Sequence, residues 1–189
     1  MTRMLRELIL GGQRSGKSRC AEARAAAWLA QPGHSAVLVA TALAGDAEMR
    51  ARIARHQADR ARRVPALLTI EEPRELALVV RQHSAPSHLV VIDCLTLWLT
   101  NLLMPMHGDA LDDAALASAA AALIEALRRA PGPVLLVSNE IGLGLTPLTT
   151  PARRFVDELG RLHQLVAQSC ERVTLLVAGI EVPVKRPAA

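Results

Sequence analysis

ELILGGQRSGKS, residues 7 to 18, decides the fold. A short apolar run, Glu7 to Leu10, leads into paired glycines, and a lysine and a serine then open an alanine-rich segment. The turn from Gly11 to Ser18 fits G-x-x-x-x-G-K-[ST], with a strand expected before it and a helix after it. Gly11, Gly12 and Gly16 let the backbone curl, so that the amides of Gln13, Arg14 and Ser15 can point inward as an anion nest. The following helix N-terminus adds roughly half a positive charge. In such a cradle Lys17 reaches the β- and γ-phosphates and Ser18 ligates Mg²⁺. This turn is a nucleotide site.

Working outward, short apolar runs alternate with helical patterns. Strands are expected at Ala36–Ala40, Ala66–Ile70, Leu89–Ile92, Pro133–Ser138 and Val173–Ala178, with a short edge strand at Glu181–Lys185. Helices are expected from Lys17 to Ala30, through the arginine-rich stretch ending at Arg63, from Pro73 to His83, and from just after Asp93 to about Met104. Two more are expected over Ala110–Ala130 and Pro151–Cys170. Strands apolar on both faces and separated by helices indicate an α/β fold, a mostly parallel sheet covered on both faces. One domain over residues 1 to 189 is the economical reading. Asp93 closes the buried run LVVI, where a second magnesium-side carboxylate belongs; a buried acid is costly unless it faces a cation or a donor.

Composition narrows the function. Half the residues are apolar, as a globular core needs. Two tryptophans, one phenylalanine and no tyrosine leave little for stacking on single-stranded nucleic acid. A net charge of +4 and a pI of about 9.6 suit an anionic ligand without identifying it. Cys20, Cys94 and Cys170 have neither metal-ligand spacing nor an even count, and suit reduced thiols in a cytoplasmic protein. The longest apolar run, Leu89 to Met106, contains Asp93 and Asn101 and reads as strand plus helix; no membrane span is expected.

One stretch needs more explanation. EMRARIARHQADRARR, Glu48 to Arg63, places His56 among six arginines. Together with GGQRSGKSR, VATALAGDAEMRARIARHQADR, TIEEP, VVIDCLTLWLTNLL, VSNEIGLGLTPLTTPARRFVDELGRLHQ and VAGIEVPVK, it resembles the bifunctional adenosylcobinamide kinase / adenosylcobinamide-phosphate guanylyltransferases of cobalamin biosynthesis. The segments follow that family's order over nearly the whole chain. RIxxH, DCLTLWLxNLL and SNExGxG are far more specific than the cradle alone.

The resemblance implies a P-loop, RecA-like fold and a homotrimer. It implies two reactions: phosphorylation of adenosylcobinamide by ATP or GTP, then transfer of GMP from GTP to adenosylcobinamide phosphate. The second passes through a covalent GMP-histidine, which falls on His56, with Lys17 as its catalytic partner. Imidazole attacks only when neutral, and clustered guanidinium groups favour that form while they neutralise a triphosphate. Arg52 and Arg55 share a helix side with His56, and Arg60, one turn on, is the favoured phosphate ligand. The resemblance extends the nucleotide site to Ala40, Thr41, Ala42, Gln57, Ala58, Asp59, Arg60, Glu71 and Asp93, with Ser18 and Asp93 on the metal. Glu72 is an alternative to Glu71, and Asn139 and Glu140 are candidates for the corrinoid or nucleotide side. His34, His83, His88, His107 and His163 are assigned no role. Val156 and His163 depart from the family's usual arginine and asparagine. Two rival readings remain: a simple P-loop kinase with a structural His56, and a RecA-like ATPase acting on nucleic acid.

Overall fold

A computed structural model describes residues 6–187. Among them, seven strands form one sheet in the order β3-β2-β4-β5-β1-β6-β7. The strands are β1 (Arg6–Gly11), β2 (Ser35–Ala40), β3 (Leu68–Glu71), β4 (His88–Asp93), β5 (Val134–Asn139), β6 (Arg172–Val177) and β7 (Ile180–Lys185). The pairings among β1 to β6 are parallel, and β7 returns antiparallel on β6 through a turn with Gly179 at φ 81°. The helices are α1 (Lys17–Leu29), α2 (Ala47–Arg63), α3 (Leu76–His83), α4 (Leu95–Leu103), α5 (Asp113–Arg129) and α6 (Thr150–Ser169).

Period-two alternation sorts the strand residues between two cores. Leu8, Val37, Val39, Val90, Ile92, Val134 and Leu136 face α3, α4, α5 and α6. Ile9, Ala36, Leu38, Leu89, Val91, Leu135 and Val137 face α1 and the chain just after α2. The central strands β2, β4 and β5 are therefore buried over most of their length, as a sheet covered on both faces requires, whereas the edge strands β3 and β7 are largely exposed. The apolar segment Leu95–Leu103 belongs to the core: Leu95, Trp98, Leu99 and Leu102 are at most 2% exposed. Among the described residues no helix is long and apolar enough to cross a membrane.

Three boundaries differ from the pattern reading. Pro73 does not open α3, because the Glu72 carboxylate accepts from the amides of Arg74 (2.8 Å) and Glu75 (2.9 Å) and holds a turn until Leu76. Helix α5 starts only where the Asp112 side chain accepts from Ala115 N at 2.8 Å. Strand β3 covers Leu68–Glu71, starting two residues and ending one residue later than ALLTI suggests.

Strand register then positions the site. Gly11 lies beside Asn139, Ala40 beside both Asp93 and Glu71, and Asp93 beside Val137. Residues far apart in the chain thus meet along the carboxyl edge of the sheet, where α/β folds bind ligands.

Candidate nucleotide and transfer site

The cradle is built by backbone constraint. Gly11 has φ 156°, and a Cβ there would lie 2.5 Å from Ser15 Oγ and 2.6 Å from the Leu176 carbonyl oxygen. Gly16, at φ 101°, turns the chain into α1, whose first residue is Lys17. The Lys17 ammonium donates to the Gly12 carbonyl at 2.6 Å. Burial pulls the Lys17 pKa below the usual lysine value; Cys94 and Asp93 oppose this, and Arg52 adds to it. Ser15 Oγ is buried without a hydrogen-bond partner, an arrangement that suits a polar ligand in the loop.

Helix α2 stands over the carboxyl edge. Asp46 caps it by accepting from Met49 N at 2.7 Å, and Arg63 ties its end to the buried Glu22 of α1 at 2.7 Å. Its residues face two adjoining clefts at helical spacing. Glu48, Arg52, Arg55, Asp59 and Arg63 face the first, whose other wall is Gln13 to Arg19 with Asn139. Met49, Ile53, Gln57 and Arg60 face the second, whose walls are Leu38, Ala40, Ala42, Leu97 and Glu71. Arg52 and His56 lie on the ridge between the clefts and line both, as do Ser18, Asp93 and Cys94. The first cleft is polar and cationic. The second has an apolar wall with a carboxylate at its rim.

The residues marked by motif and resemblance therefore divide. Gln13, Arg14, Ser15, Gly16, Lys17, Ser18, His56, Asp59 and Asp93 line the first cleft, and Ala40, Ala42, Gln57, Arg60 and Glu71 the second. Gly11, Gly12, Thr41 and Ala58 line neither. The glycines shape the loop. Thr41 is fully buried; its hydroxyl donates to the Cys94 carbonyl (2.7 Å) and accepts from Cys94 N (2.8 Å), pinning β2 to the start of α4. Glu72 is occupied by the turn before α3, so of this pair it is Glu71 that lines the second cleft, together with Asp93. Arg60 is 8% exposed, the only buried residue of α2.

Sequence reasoning missed the apolar wall. Met49 and Ile53 lie one turn apart and one turn before Gln57, a helical stripe that was readable once the helix was placed. One histidine that the sequence left without a role is part of the interior. His163 is 7% exposed, with Nε2 2.7 Å from Ser138 Oγ and Nδ1 3.6 Å from Glu140 Oε2. The thiol at Cys94 is pushed up to about 11 by burial and by Asp93. Those at Cys20 and Cys170 are pushed up to about 12, again chiefly by burial. All three are neutral thiols near pH 7 and unsuited to nucleophilic attack.

Comparison with known proteins adds identity to this geometry. Residues 7–184 match the family model CobU, described as cobinamide kinase / cobinamide phosphate guanyltransferase. The bifunctional adenosylcobalamin biosynthesis protein CobP of Pseudomonas aeruginosa is 49% identical over 96% of this chain and 98% of its own length. The corresponding CobU protein of Escherichia coli is 36% identical over 94% of this chain and 98% of its own. Among solved structures, an ATPase domain aligns with a TM-score of 0.57 at 14% identity, over 98% of this chain and 78% of that one. It supports the P-loop fold alone. A cradle, a histidine-bearing helix over it and a full-length family match lead to one conclusion: the chain belongs to the CobU family of cobinamide kinase / cobinamide phosphate guanyltransferases.

Proposed function

We propose that this chain is a bifunctional transferase of cobalamin biosynthesis that uses one nucleotide site for two reactions. In the first, the hydroxyl of adenosylcobinamide attacks the γ-phosphorus of ATP or GTP. The β–γ bridge breaks, a nucleoside diphosphate leaves, and the hydroxyl proton is released. In the second, an imidazole nitrogen of His56 attacks the α-phosphorus of GTP and pyrophosphate leaves. A phosphate oxygen of adenosylcobinamide phosphate then breaks the P–N bond, giving adenosylcobinamide-GDP and free His56. Splitting the transfer into two displacements replaces one hard step with two easier ones.

The observation that carries this reading is the position of His56 and Arg52 on the ridge shared by both clefts, together with Ser18 and Asp93. The triphosphate lies in the cationic cleft, where Lys17 exchanges the Gly12 carbonyl for phosphate oxygens and Arg52, Arg55 and Arg63 take up charge. Guanine lies in the second cleft against Leu38, Ile53 and Leu97, with Glu71 accepting from its N–H groups. The α-phosphate then falls at the ridge, within reach of His56.

Ser18 and Asp93 share both clefts beside the unpartnered Ser15 hydroxyl, a donor set that fits Mg²⁺. Bound there, Mg²⁺ supplies neutralisation of phosphate charge. Assembly as a homotrimer and a cytoplasmic location complete the reading. They are supported by the family match, by the exposed apolar residues Ile180, Val182 and Val184 of β7, and by the three free thiols.

GTP labelled on the α-phosphate tests the second reaction. Acid-labile label should appear on the protein and be absent from His56→Ala, while transfer of γ-label to adenosylcobinamide continues at a measurable rate. Label retained by His56→Ala would remove the histidine from the reaction and leave a simple kinase.

A further inference from the structure

Three buried polar side chains and a partly exposed carboxylate form a relay that the transfer chemistry does not use. Asn139 N donates to Thr96 Oγ1 at 2.8 Å, Thr96 Oγ1 lies 3.1 Å from Ser138 Oγ, and Ser138 Oγ lies 2.7 Å from His163 Nε2. Thr96, Ser138 and His163 are 8%, 0% and 7% exposed. Beyond the imidazole, Glu140 accepts from Gly142 N at 2.9 Å and faces His163 Nδ1 at 3.6 Å. The relay runs from α6 through β5 to α4, and it ends on the backbone of Asn139, which lines the cationic cleft.

Hydrogen-bond accounting favours one direction. Thr96 Oγ1 already accepts from Asn139, so its own proton needs an acceptor, and Ser138 Oγ is the oxygen in reach. The competing acceptor beside it, the Cys94 sulfur, is a weak one. Ser138 then donates to His163 Nε2, and the ring proton lies on Nδ1, where the facing Glu140 carboxylate favours it. We propose that His163, as its neutral Nδ1–H tautomer, is a positioning residue for phosphoryl transfer: it holds Asn139 at the cleft and Glu140 at the loop mouth. Protonating the ring would make Nε2 a donor, reverse the Ser138 hydroxyl and leave the Thr96 proton without an oxygen partner.

Burial disfavours the imidazolium and Glu140 opposes this, with a net lowering. From β5 and α4 the relay contributes only neutral hydroxyls, so Glu140 is the charged group facing the ring. Because the folded pKa lies below the ordinary histidine value of about 6.5, the ring stays neutral and the relay intact through that range. The relay is lost only as the pH falls through the lowered folded pKa.

The inference rests on the kinase reading of the cationic cleft, and its test keeps the two apart. The γ-phosphoryl transfer, which does not involve His56, is followed against pH in the wild type and in His163→Leu, His163→Gln and Ser138→Ala. His163→Leu and Ser138→Ala should lower kcat about tenfold with KM for the nucleotide changed less than about twofold. His163→Gln, which can accept from Ser138 and donate to Glu140, should restore kcat and abolish the acid limb of the profile. Nitrogen-15 NMR of the ligand-free wild type should show the Nδ1–H tautomer at His163. An Nε2–H tautomer, or an acid limb unchanged in His163→Gln, overturns the proposal. Absence of γ-phosphoryl transfer in the wild type would overturn the kinase reading instead, leaving the tautomer measurement to decide the relay.

Discussion

Removing Arg24 should destabilise the cradle's own frame, and the size of the loss can be worked out from the contacts. Arg24 of α1 donates through Nε to Glu7 of β1 at 2.7 Å, so one ion pair bridges the strand and helix on either side of the Gly11–Gly16 loop. The Glu7 side chain is fully buried; Thr174 Oγ1 donates to its other oxygen at 2.7 Å, and Arg172 lies 3.9 Å away. Arg24 also reaches Glu181 at 2.6 Å, but that carboxylate is 48% exposed and contributes little. Arg24→Met keeps the apolar stem and strands a carboxylate in the core. Breaking one side of a buried pair costs about 3–5 kcal/mol, which for a chain of this size lowers Tm by about 6–20 °C. Adding Glu7→Gln removes the stranded charge while keeping an acceptor for Thr174, and should recover at least half of the loss. Differential scanning calorimetry with urea titration measures both variants. A loss below about 1 kcal/mol in Arg24→Met, or further destabilisation in the double variant, would refute the reasoning.

Three other outcomes follow from the same structure. Gly11→Ala forces a Cβ to within 2.6 Å of the Leu176 carbonyl at φ 156°, and should cost about 1–3 kcal/mol and sharply weaken binding of a fluorescent nucleotide. Burial would raise the pKa of Glu171, but hydrogen bonds from Arg6 outweigh it and the net shift is downward. Its stabilising contribution is therefore present above about pH 4.3 and lost as the pH falls further. Glu171→Gln should be less stable than wild type at pH 7 in urea titrations, with the gap closing in acid. Glu71→Ala should reduce discrimination between GTP and ATP in protein labelling about 10- to 100-fold, the worth of a charged hydrogen bond of about 1.5–3 kcal/mol.

The fold was legible because its central strands are short and apolar on both faces, and because the glycines at 11, 12 and 16 admit few alternatives. Boundaries set by side-chain capping were less so. Glu72 and Asp112 each satisfy backbone amides that periodicity cannot see, and they moved the starts of α3 and α5. Helical spacing brought Arg52, Arg55 and His56 to one side, yet it did not reveal two clefts, because the second wall comes from Leu38, Ala42 and Leu97 on other elements. Packing alone shows what the Thr41 hydroxyl does: it is engaged by the Cys94 backbone. His163 was invisible for the same reason. Its partners Ser138 and Glu140 are distant in sequence, and a polar residue on an amphipathic helix reads as exposed until the packing is known.

The most direct test isolates the protein after incubation with Mg²⁺ and GTP, removes free nucleotide, and then adds adenosylcobinamide phosphate alone. The intact mass should first rise by one GMP and then return to that of the free chain as an equal amount of adenosylcobinamide-GDP forms without new pyrophosphate. An adduct that persists with the acceptor present, or that forms equally on His56→Ala, would contradict transfer through His56.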